Sequence, residues 1–395
     1  MKKSASLLAI PVLVLIFFSS CQKESTTANV VTPTPVDPGT CVTGSSITNG
    51  TIIPGQYIVT YNSGEVTRTA SPSTMMNTSE DVMERNDISS TAVLGTFAGE
   101  PGGFVAKLSD LDAAKLNADP SIKTVEPDRI ISLGGCFTIA EPRLITWNIN
   151  RVGYGDGRGK TAWIIDTGID MAHPDLNADG TRSRSFIAGI TSANDDNGHG
   201  THVAGIIGAK NNSIGVLGVA SGANLVALKV LDSTGTGSLS AIIQALAYVN
   251  TNASAGDVVN MSLGLEDVSP TLTEQVLNTA NRGILIAIAA GNSHQEANKT
   301  SPANANGANV YTVSAIDSLD RFASFSNYGN DVVDYAQPGV NILSTYTHGR
   351  YAYMSGTSMA APHLAGLLLL RGRNLNVSGT AKNDPDGVAD PIAHY

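Results

Sequence analysis

The sequence predicts an α/β protein in which a parallel sheet is covered by helices on both faces, preceded by a small α+β unit. The chain has 395 residues, is 42% hydrophobic and only 15% charged, and contains 40 glycines, so it can bury a large core. From about residue 142 onward, short apolar runs alternate with amphipathic helical patterns, as in βαβ units. Residues 56–131 instead show a mixed order of strands and helices that fits a separate unit.

The N-terminus has the features of an export signal. Lys2 and Lys3 precede an apolar run over 7–18, which is too short to span a bilayer but fits the hydrophobic region of a secretory signal. Ser19-Ser20-Cys21 then resembles a bacterial lipobox, in which Cys21 would be lipidated. We therefore expect residues 1–20 to be a signal peptide and the protein to be an outer-membrane or cell-surface lipoprotein. The alternative is an ordinary signal peptide with an incidental cysteine, which would give a secreted protein.

The next segment, residues 21–55, is rich in Ser, Thr, Pro and Gly and includes Thr32-Pro33-Thr34-Pro35. Such a composition buries too little apolar surface to offset its conformational entropy. We predict that it is a tether that holds the folded part away from the membrane.

Residues 56–132 are predicted to form the first folded unit. A β-branched and aromatic strand is followed by a helix rich in Met, two extended stretches, a second helix that starts at the N-cap Ser109, and a final strand. The order βαββαβ indicates a ferredoxin-like α+β fold. The predicted strands and helices of this unit are 56–61, 74–86, the stretches flanking 99–103, 109–119 and 122–131.

Residues 142–395 are predicted to form the larger α/β unit, after a linker over 133–141. Ligands and catalytic groups of parallel sheets lie at the carboxyl ends of strands and at helix N-termini, so polar residues at those places are informative. The predicted strands are 161–165, 225–230, 257–261, 284–289 and 310–313, and the clearest helical patterns are 238–249 and 272–282.

Four polar residues occupy such places. Asp166 ends an apolar strand, His199 and Ser358 each enter a helix, and Asn292 follows another strand. A serine hydroxyl becomes a nucleophile when an imidazole takes its proton, and a buried carboxylate fixes the tautomer of that imidazole. A backbone N–H at a helix N-terminus and the Asn292 amide could together stabilise an oxyanion. These residues therefore predict nucleophilic acyl-transfer chemistry.

The motifs around these residues resemble those of the subtilisin family of serine proteases. They are Asp166-Thr-Gly-Ile-Asp170, Asn197-Gly-His-Gly-Thr-His-Val-Ala-Gly205, Ala290-Gly-Asn292 and Ser355-Gly-Thr-Ser-Met-Ala-Ala-Pro-His363, in the Asp…His…Ser order of that family. The resemblance implies a three-layer fold and a serine endopeptidase with polypeptide substrates. It further implies that Gly235 and Ser262-Leu263-Gly264 line the substrate cleft and pair with an extended peptide.

The first unit resembles the propeptide inhibitor of this family, through residues 103–108 and 125–128. The resemblance implies a zymogen whose propeptide assists folding, is cut autocatalytically within 133–141 and then blocks the cleft. It implies no cofactor for the chemistry and a monomer. Structural calcium is common in the family, with Asp170, Asp175, Asp195 and Asp196, and separately the loop 384–390, as candidate oxygen ligands. A solvated acidic loop is an equally good interpretation of each, and the sequence names no metal ligand.

Charge and cysteine spacing exclude other classes. The chain has 24 Lys and Arg against 34 Asp and Glu, a net charge of −10, and its only basic run is Lys2-Lys3, which argues against a nucleic-acid partner. Cys21, Cys41 and Cys136 form no CxxC pair, which argues against zinc, iron–sulfur and thioredoxin chemistry. Whether Cys41 and Cys136 form a disulfide stays open.

One alternative to an enzyme remains at this stage. A catalytically silent, surface-anchored binding protein could use the same fold, but the presence of all four chemistry-bearing residues favours the enzyme.

Gln337 stands where the family usually has Ala before Pro-Gly, and we expect that position to be structural. After Ser358 we expect one helix and a tail.

Overall fold

The computed structural model describes residues 42–43, 48–62, 64, 70–133, 136–139 and 145–395. Residues 1–20, Cys21 and Cys41 lie outside this set, as does most of the tether and of the linker. For Cys136 only the backbone is described. Among the helices in the described part of the chain, none has the length and apolar character needed to cross a membrane.

The first unit is the ferredoxin-like fold that the sequence predicts. Its strands form an antiparallel sheet in the order β5-β2-β4-β3, and both helices pack on one face over a core that includes Met83, Phe104 and Leu116. Ser71 and Ser109 cap the two helices by accepting backbone N–H groups. The elements up to this point are β1 (Val42–Thr43), β2 (Ile52–Tyr61), α1 (Pro72–Arg85), β3 (Val93–Phe97), β4 (Gly103–Lys107), α2 (Asp110–Asn117) and β5 (Ile122–Ser132).

The folded part begins upstream of residue 56, where the tether was expected to end. Strand β2 starts at Ile52, and the Gly50 N–H donates to the Ile130 carbonyl at 2.8 Å. Composition alone missed this, because the segment is held by backbone hydrogen bonds to a distant strand rather than by apolar side chains of its own.

The larger unit is built on a nine-stranded sheet. Its order is β19-β20-β16-β15-β14-β13-β8-β11-β9, and every neighbouring pair is parallel except β19-β20. The strands of the unit are β6 (Cys136–Ile139), β7 (Gly155–Asp156), β8 (Thr161–Asp166), β9 (Arg184–Ser185), β10 (Ala220–Ser221), β11 (Asn224–Lys229), β12 (Thr236–Ser238), β13 (Val258–Met261), β14 (Leu285–Ala289), β15 (Val310–Ile316), β16 (Val333–Pro338), β17 (Ile342–Tyr346), β18 (Arg350–Met354), β19 (Asn376–Thr380) and β20 (Pro391–His394).

Helices cover both faces of this sheet, as predicted. One core cluster joins α4 and α7 to the sheet, and a second joins α5 and α6 to its other face. Side chains of Ser238 and Ser269 cap α5 and α6. The helices are α3 (Trp147–Val152), α4 (His199–Gly208), α5 (Leu239–Asn252), α6 (Pro270–Asn281) and α7 (Thr357–Arg371).

The C-terminal region differs from the expected tail. After α7 the chain forms the hairpin β19-β20, and β20 extends the main sheet beside β16. The buried Gln337 donates to the Ala393 carbonyl at 3.1 Å, which ties the hairpin to β16 and supports the structural interpretation of that position. The local sequence did not show this hairpin because β19 is exposed along its whole length and carries no apolar alternation.

A buried carboxyl group lies where the hairpin meets the sheet. Asp390 is 3% exposed, and the Ser314 hydroxyl donates to it at 2.5 Å. Burial raises the pKa of Asp390 to about 7; the Ser314 hydrogen bond lowers it, whereas the charges of Asp384, Asp386 and Asp334 act in the same direction as burial. The ionised form of Asp390 is therefore costly in the folded chain.

We predict that this carboxyl group makes stability fall as the pH rises. Because its folded pKa lies above the ordinary 3.8, the folded chain binds more protons than the unfolded chain between those values. Asp390→Asn in a Ser358→Ala chain should therefore raise Tm relative to its parent increasingly from about pH 5 to about pH 8. Thermal unfolding by circular dichroism measures this, with the exposed Asp81→Asn as control. A Tm difference independent of pH would contradict the prediction.

Candidate active site

The four chemistry-bearing residues occupy the predicted places. Asp166 is the last residue of β8, His199 is the first of α4, Ser358 is the second of α7, and Asn292 follows β14. Since β8 and β14 are parallel members of one sheet, their carboxyl ends meet at the same edge, and the N-termini of α4 and α7 lie at that edge. The topology thus brings together residues that are up to 192 positions apart (358 − 166).

The buried Asp166 pairs with the partly buried His199. His199 Nδ1 lies 2.8 Å from Asp166 Oδ1 and 3.0 Å from Oδ2. Burial lowers the pKa of His199, but the charge and hydrogen bond of Asp166, together with the charge of Asp195, outweigh that effect and leave the pKa above the ordinary 6.5. The carboxylate thus fixes the imidazole by Nδ1 and leaves Nε2 for a reacting proton.

Ser358 lies at the N-terminus of α7, next to the segment that was predicted to line the cleft. Its hydroxyl donates to the Ser262 carbonyl at 3.1 Å, and the Ser262 hydroxyl donates to the Ser358 carbonyl at 2.7 Å. Gly356 precedes the helix with φ +154°, a region that favours glycine. In this conformation the Ser358 hydroxyl is held by a backbone acceptor.

Asn292 places its amide beside the backbone of Ser358. Its Oδ1 accepts the Thr357 N–H at 2.8 Å and the Thr357 hydroxyl at 3.0 Å, which orients the side chain. A Cβ on Gly356 would stand 3.4 Å from Asn292 Nδ2 and 3.6 Å from Ser358 N. The Asn292 amide nitrogen and the Ser358 backbone nitrogen therefore both lie close to one point beside Gly356.

The end of the first unit occupies the predicted cleft. We call residues 129–133 the arm. Strand β12 pairs antiparallel with it, with Thr236 opposite Ser132 and Gly237 opposite Ile131, and the Leu133 N–H donates to the Gly235 carbonyl at 2.9 Å. Ile131 is fully buried in the same core cluster as Leu263, and Leu133 packs against that cluster. The arm thus lies in the cleft as an added strand.

Two acidic residues of the first unit cap helices of the second. Asp128 accepts the Ser240 N–H of α5 at 3.0 Å, and Glu126 accepts the Thr271 N–H of α6 at 3.2 Å. Carboxylates at helix N-termini are favoured by the free N–H groups and the helix dipole. These contacts fix the two units against each other and direct the arm into the cleft.

Sequence reasoning missed Lys229. This fully buried lysine donates to the carbonyl oxygens of Thr167 at 2.6 Å and Leu231 at 2.7 Å and pairs with Asp196 at 2.7 Å. It thereby joins the residue after Asp166, the loop before His199 and the segment leading to the cleft. A lone lysine at the end of an apolar strand was the signal that could have identified it.

Asp175 and Asp195, two of the candidate calcium ligands, already have protein donors, whereas Asp384 Oδ1 and Asp386 Oδ2 in the loop 384–390 are buried without a hydrogen-bond partner. Asp195 accepts backbone N–H groups of Gly198 and Thr201 at 2.9 Å each, and Asp175 accepts from Asn212 and Val216 at 2.9 Å each. Among the described residues, no group of three or more His, Cys, Asp or Glu side chains is placed to hold a metal ion.

The sequence from residue 157 to residue 379 matches the family described as "Subtilase family". The chain belongs to this family. Residues 56–134 match a second family, "Peptidase inhibitor I9". The protein is therefore a subtilisin-type serine protease that acts on peptide substrates. It carries a propeptide domain that is an intramolecular inhibitor. The interpretation as an enzyme is confirmed.

Individual relatives agree with this assignment. The subtilase is 41% identical over 273 residues to a thermostable alkaline protease of Halalkalibacterium halodurans, covering 67% of this chain and 71% of that protein. It is 43% identical over 271 residues to the M-protease of Shouchella clausii, covering 67% of each. The crystal structure of a cold adapted subtilisin-like serine proteinase matches with a TM-score of 0.56 and 35% identity, over 63% of this chain and 97% of the other.

Proposed function

We propose that this subtilase is an endopeptidase made as an autoprocessed zymogen, with Asp166, His199 and Ser358 as its catalytic triad. Asn292 and the Ser358 N–H would form the oxyanion hole. The observation that carries the proposal is the convergence of three features at one sheet edge: the Asp166–His199 pair at 2.8 Å, the Ser358 hydroxyl, and the two N–H donors around Gly356.

The mechanism follows from this geometry. The Ser358 hydroxyl turns from the Ser262 carbonyl toward His199, gives its proton to Nε2 and attacks the scissile carbonyl carbon. Asp166 stabilises the imidazolium that forms, and the Asn292 amide and Ser358 N–H bind the oxyanion. His199 then protonates the leaving amine, and water repeats the sequence on the acyl-enzyme. In subtilisin itself, one such side-chain donor is worth about 10²–10³ in kcat.

Substrate binding is proposed to reuse the contacts of the arm. Gly235 and the strand β12 offer a backbone edge to an extended peptide, and the segment Ser262-Leu263-Gly264 lies on the other side of the cleft. Because the Leu133 N–H still pairs with the Gly235 carbonyl at 2.9 Å and Gly134-Gly135 follow in the sequence, we place the processing cut shortly after Leu133, within 133–141. We keep the monomer as a proposal from the family resemblance.

A serine-directed probe tests the proposed chemistry. The protein should hydrolyse casein and be inactivated by a fluorophosphonate, with mass spectrometry locating the adduct on the peptide that contains Ser358. Hydrolysis that is insensitive to the probe, or an adduct on another residue, would contradict the proposed nucleophile.

The pKa of His199 predicts the pH dependence of the mature enzyme. A general base must be neutral, so kcat/KM should rise with pH through the pKa of His199, with a midpoint above 6.5. Since the charge of Asp195 contributes to that shift, Asp195→Asn should move the midpoint to lower pH, whereas the exposed Asp156→Asn should not. A midpoint well below 6.5 would contradict this.

Export and anchoring are proposed from the sequence. The apolar run over 7–18 and Ser19-Ser20-Cys21 support a signal peptide and a lipidated cysteine, giving a surface lipoprotein. The full-length Ser358→Ala chain should then partition into the detergent phase, and Cys21→Ala in that background should release it. Equal partition of the two chains would mean that Cys21 is not lipidated.

We further propose that calcium, if bound, supports the fold only. The triad and the two N–H donors supply the nucleophile, base and charge stabilisation that the reaction requires, so no step of the proposed mechanism requires a metal ion. A chelator should leave the initial rate unchanged; an immediate loss of activity would contradict this.

A further inference from the structure

The segment directly before the inhibitor domain contacts the substrate cleft. We call residues 48–51 the clasp; they lie outside the 56–134 match to the inhibitor family. The clasp runs along the edge of the arm opposite β12: the Gly50 N–H donates to the Ile130 carbonyl, and the Ile130 N–H donates to the Thr51 carbonyl, both at 2.8 Å. Both edges of the arm are therefore hydrogen-bonded, one to the larger unit (residues 142–395), which we call the catalytic unit, and one to the clasp.

One side chain of the clasp bridges the arm and the opposite wall of the cleft. Asn49 Nδ2 donates to the Gly264 carbonyl at 2.6 Å, and Asn49 Oδ1 accepts the Ser132 N–H at 3.2 Å. The amide thus uses its donor toward the catalytic unit and its acceptor toward the arm. An aspartate of the same shape would keep the acceptor but set a carboxylate oxygen against the Gly264 carbonyl.

An ion pair fixes the clasp on the same rim. Arg129 donates to the Gly50 carbonyl at 3.0 Å and pairs with Asp267 of the catalytic unit at 3.0 Å. Gly50 has φ +82°, and a Cβ there would stand 3.9 Å from Glu266 N, so the clasp backbone passes close to this rim. The rim from Gly264 to Asp267 is therefore an interaction surface whose occupant is a segment of the same chain.

We propose that the clasp is a second inhibitory contact of the propeptide, which keeps the cut arm in the cleft and the Gly264 carbonyl unavailable to substrate. This inference rests on the proposed function. Once the bond after the arm is cut, the arm is a product that leaves unless its edges are held. Asn49 holds the edge that β12 does not reach, so its loss should speed release of the propeptide without affecting the cut itself.

The test compares cleavage with the appearance of activity in the full-length chain. Gel electrophoresis follows the cut, and hydrolysis of a chromogenic peptide follows release. Asn49→Asp should leave the cleavage rate within about twofold of wild type and shorten the lag between cut and activity about tenfold, as expected for the loss of one hydrogen bond. Asn77→Asp, on the exposed face of α1, is the matched control and should behave like wild type. An unchanged lag for Asn49→Asp would overturn the proposal.

A second measurement does not depend on activity. In a Ser358→Ala chain, amide hydrogen exchange of the peptide containing residues 130–133 should be faster with Asn49→Asp than with Asn77→Asp. If Asn49→Asp unfolds the inhibitor domain, the variant Arg129→Gln is used in its place. It should give the same shortened lag and faster exchange. A variant that changes neither the lag nor the exchange rate would overturn the proposal. A wild-type chain without cleavage or activity would instead contradict the proposed function, and the exchange comparison would still decide the role of the clasp.

Discussion

Ser358→Ala should leave the chain uncut and inactive. Without the hydroxyl there is no nucleophile for either the propeptide bond or an added substrate, so the full-length zymogen should accumulate with the arm in the cleft. In subtilisin itself, loss of the serine lowers kcat by about 2 × 10⁶, and we expect a loss of that order here. Gel electrophoresis of the purified chain and casein hydrolysis measure the two effects.

The exposed Ser213→Ala is the matched control for this variant, because it removes a hydroxyl from the same unit outside the site. It should be processed and active like wild type. A Ser358→Ala chain that is still cut between residues 133 and 141 would show that another nucleophile, or another protease, performs the cut.

Asp166→Asn should slow autoprocessing by about 10⁴, with the fold intact. Asparagine keeps the shape of the side chain, but its amide no longer compels Nδ1 of His199 to carry the proton, so Nε2 loses its role as acceptor. It also removes the charge that contributes to the raised pKa of His199. In subtilisin itself, removing this carboxylate costs about 3 × 10⁴ in kcat. The first-order rate of propeptide cleavage measures the effect within one chain.

The control for Asp166→Asn is Asp156→Asn, which removes an exposed carboxylate paired with Arg158. Circular dichroism should show the same fold for both variants. Cleavage by Asp166→Asn at a rate within threefold of wild type would contradict the assigned role of the carboxylate.

Two kinds of contact hold the propeptide on the larger unit: backbone pairing and side-chain hydrogen bonds. The arm and β12 form backbone pairs that any extended peptide could make, whereas Asp128, Glu126 and Asn49 make side-chain contacts that a substrate would not reproduce. Under the proposed function, this division would let one cleft both hold its propeptide and turn over other peptides. Release then depends on losing the side-chain contacts, since the backbone pairing is common to inhibitor and substrate.

The sequence by itself determined the chemistry and the fold class. Asp166, His199 and Ser358 stand in motifs whose glycines and helix-starting positions impose the local backbone, and the alternation of apolar runs with helical patterns indicates a parallel sheet. Ser109 was readable as a helix cap for the same reason, since a cap acts on residues only three positions away. These features are local, so they can be read from neighbouring residues.

The tertiary structure alone decided which distant residues meet around the site and hold the propeptide there. Asn49 meets Gly264 across 215 positions, Asp128 meets Ser240 across 112, and Lys229 meets Thr167 across 62. No periodicity or motif records such pairs, because each depends on how strands and helices from separate parts of the chain are placed by the packed core. The hairpin β19-β20 belongs to the same class: β19 has little apolar pattern, and β20 joins the main sheet only by pairing with the distant strand β16.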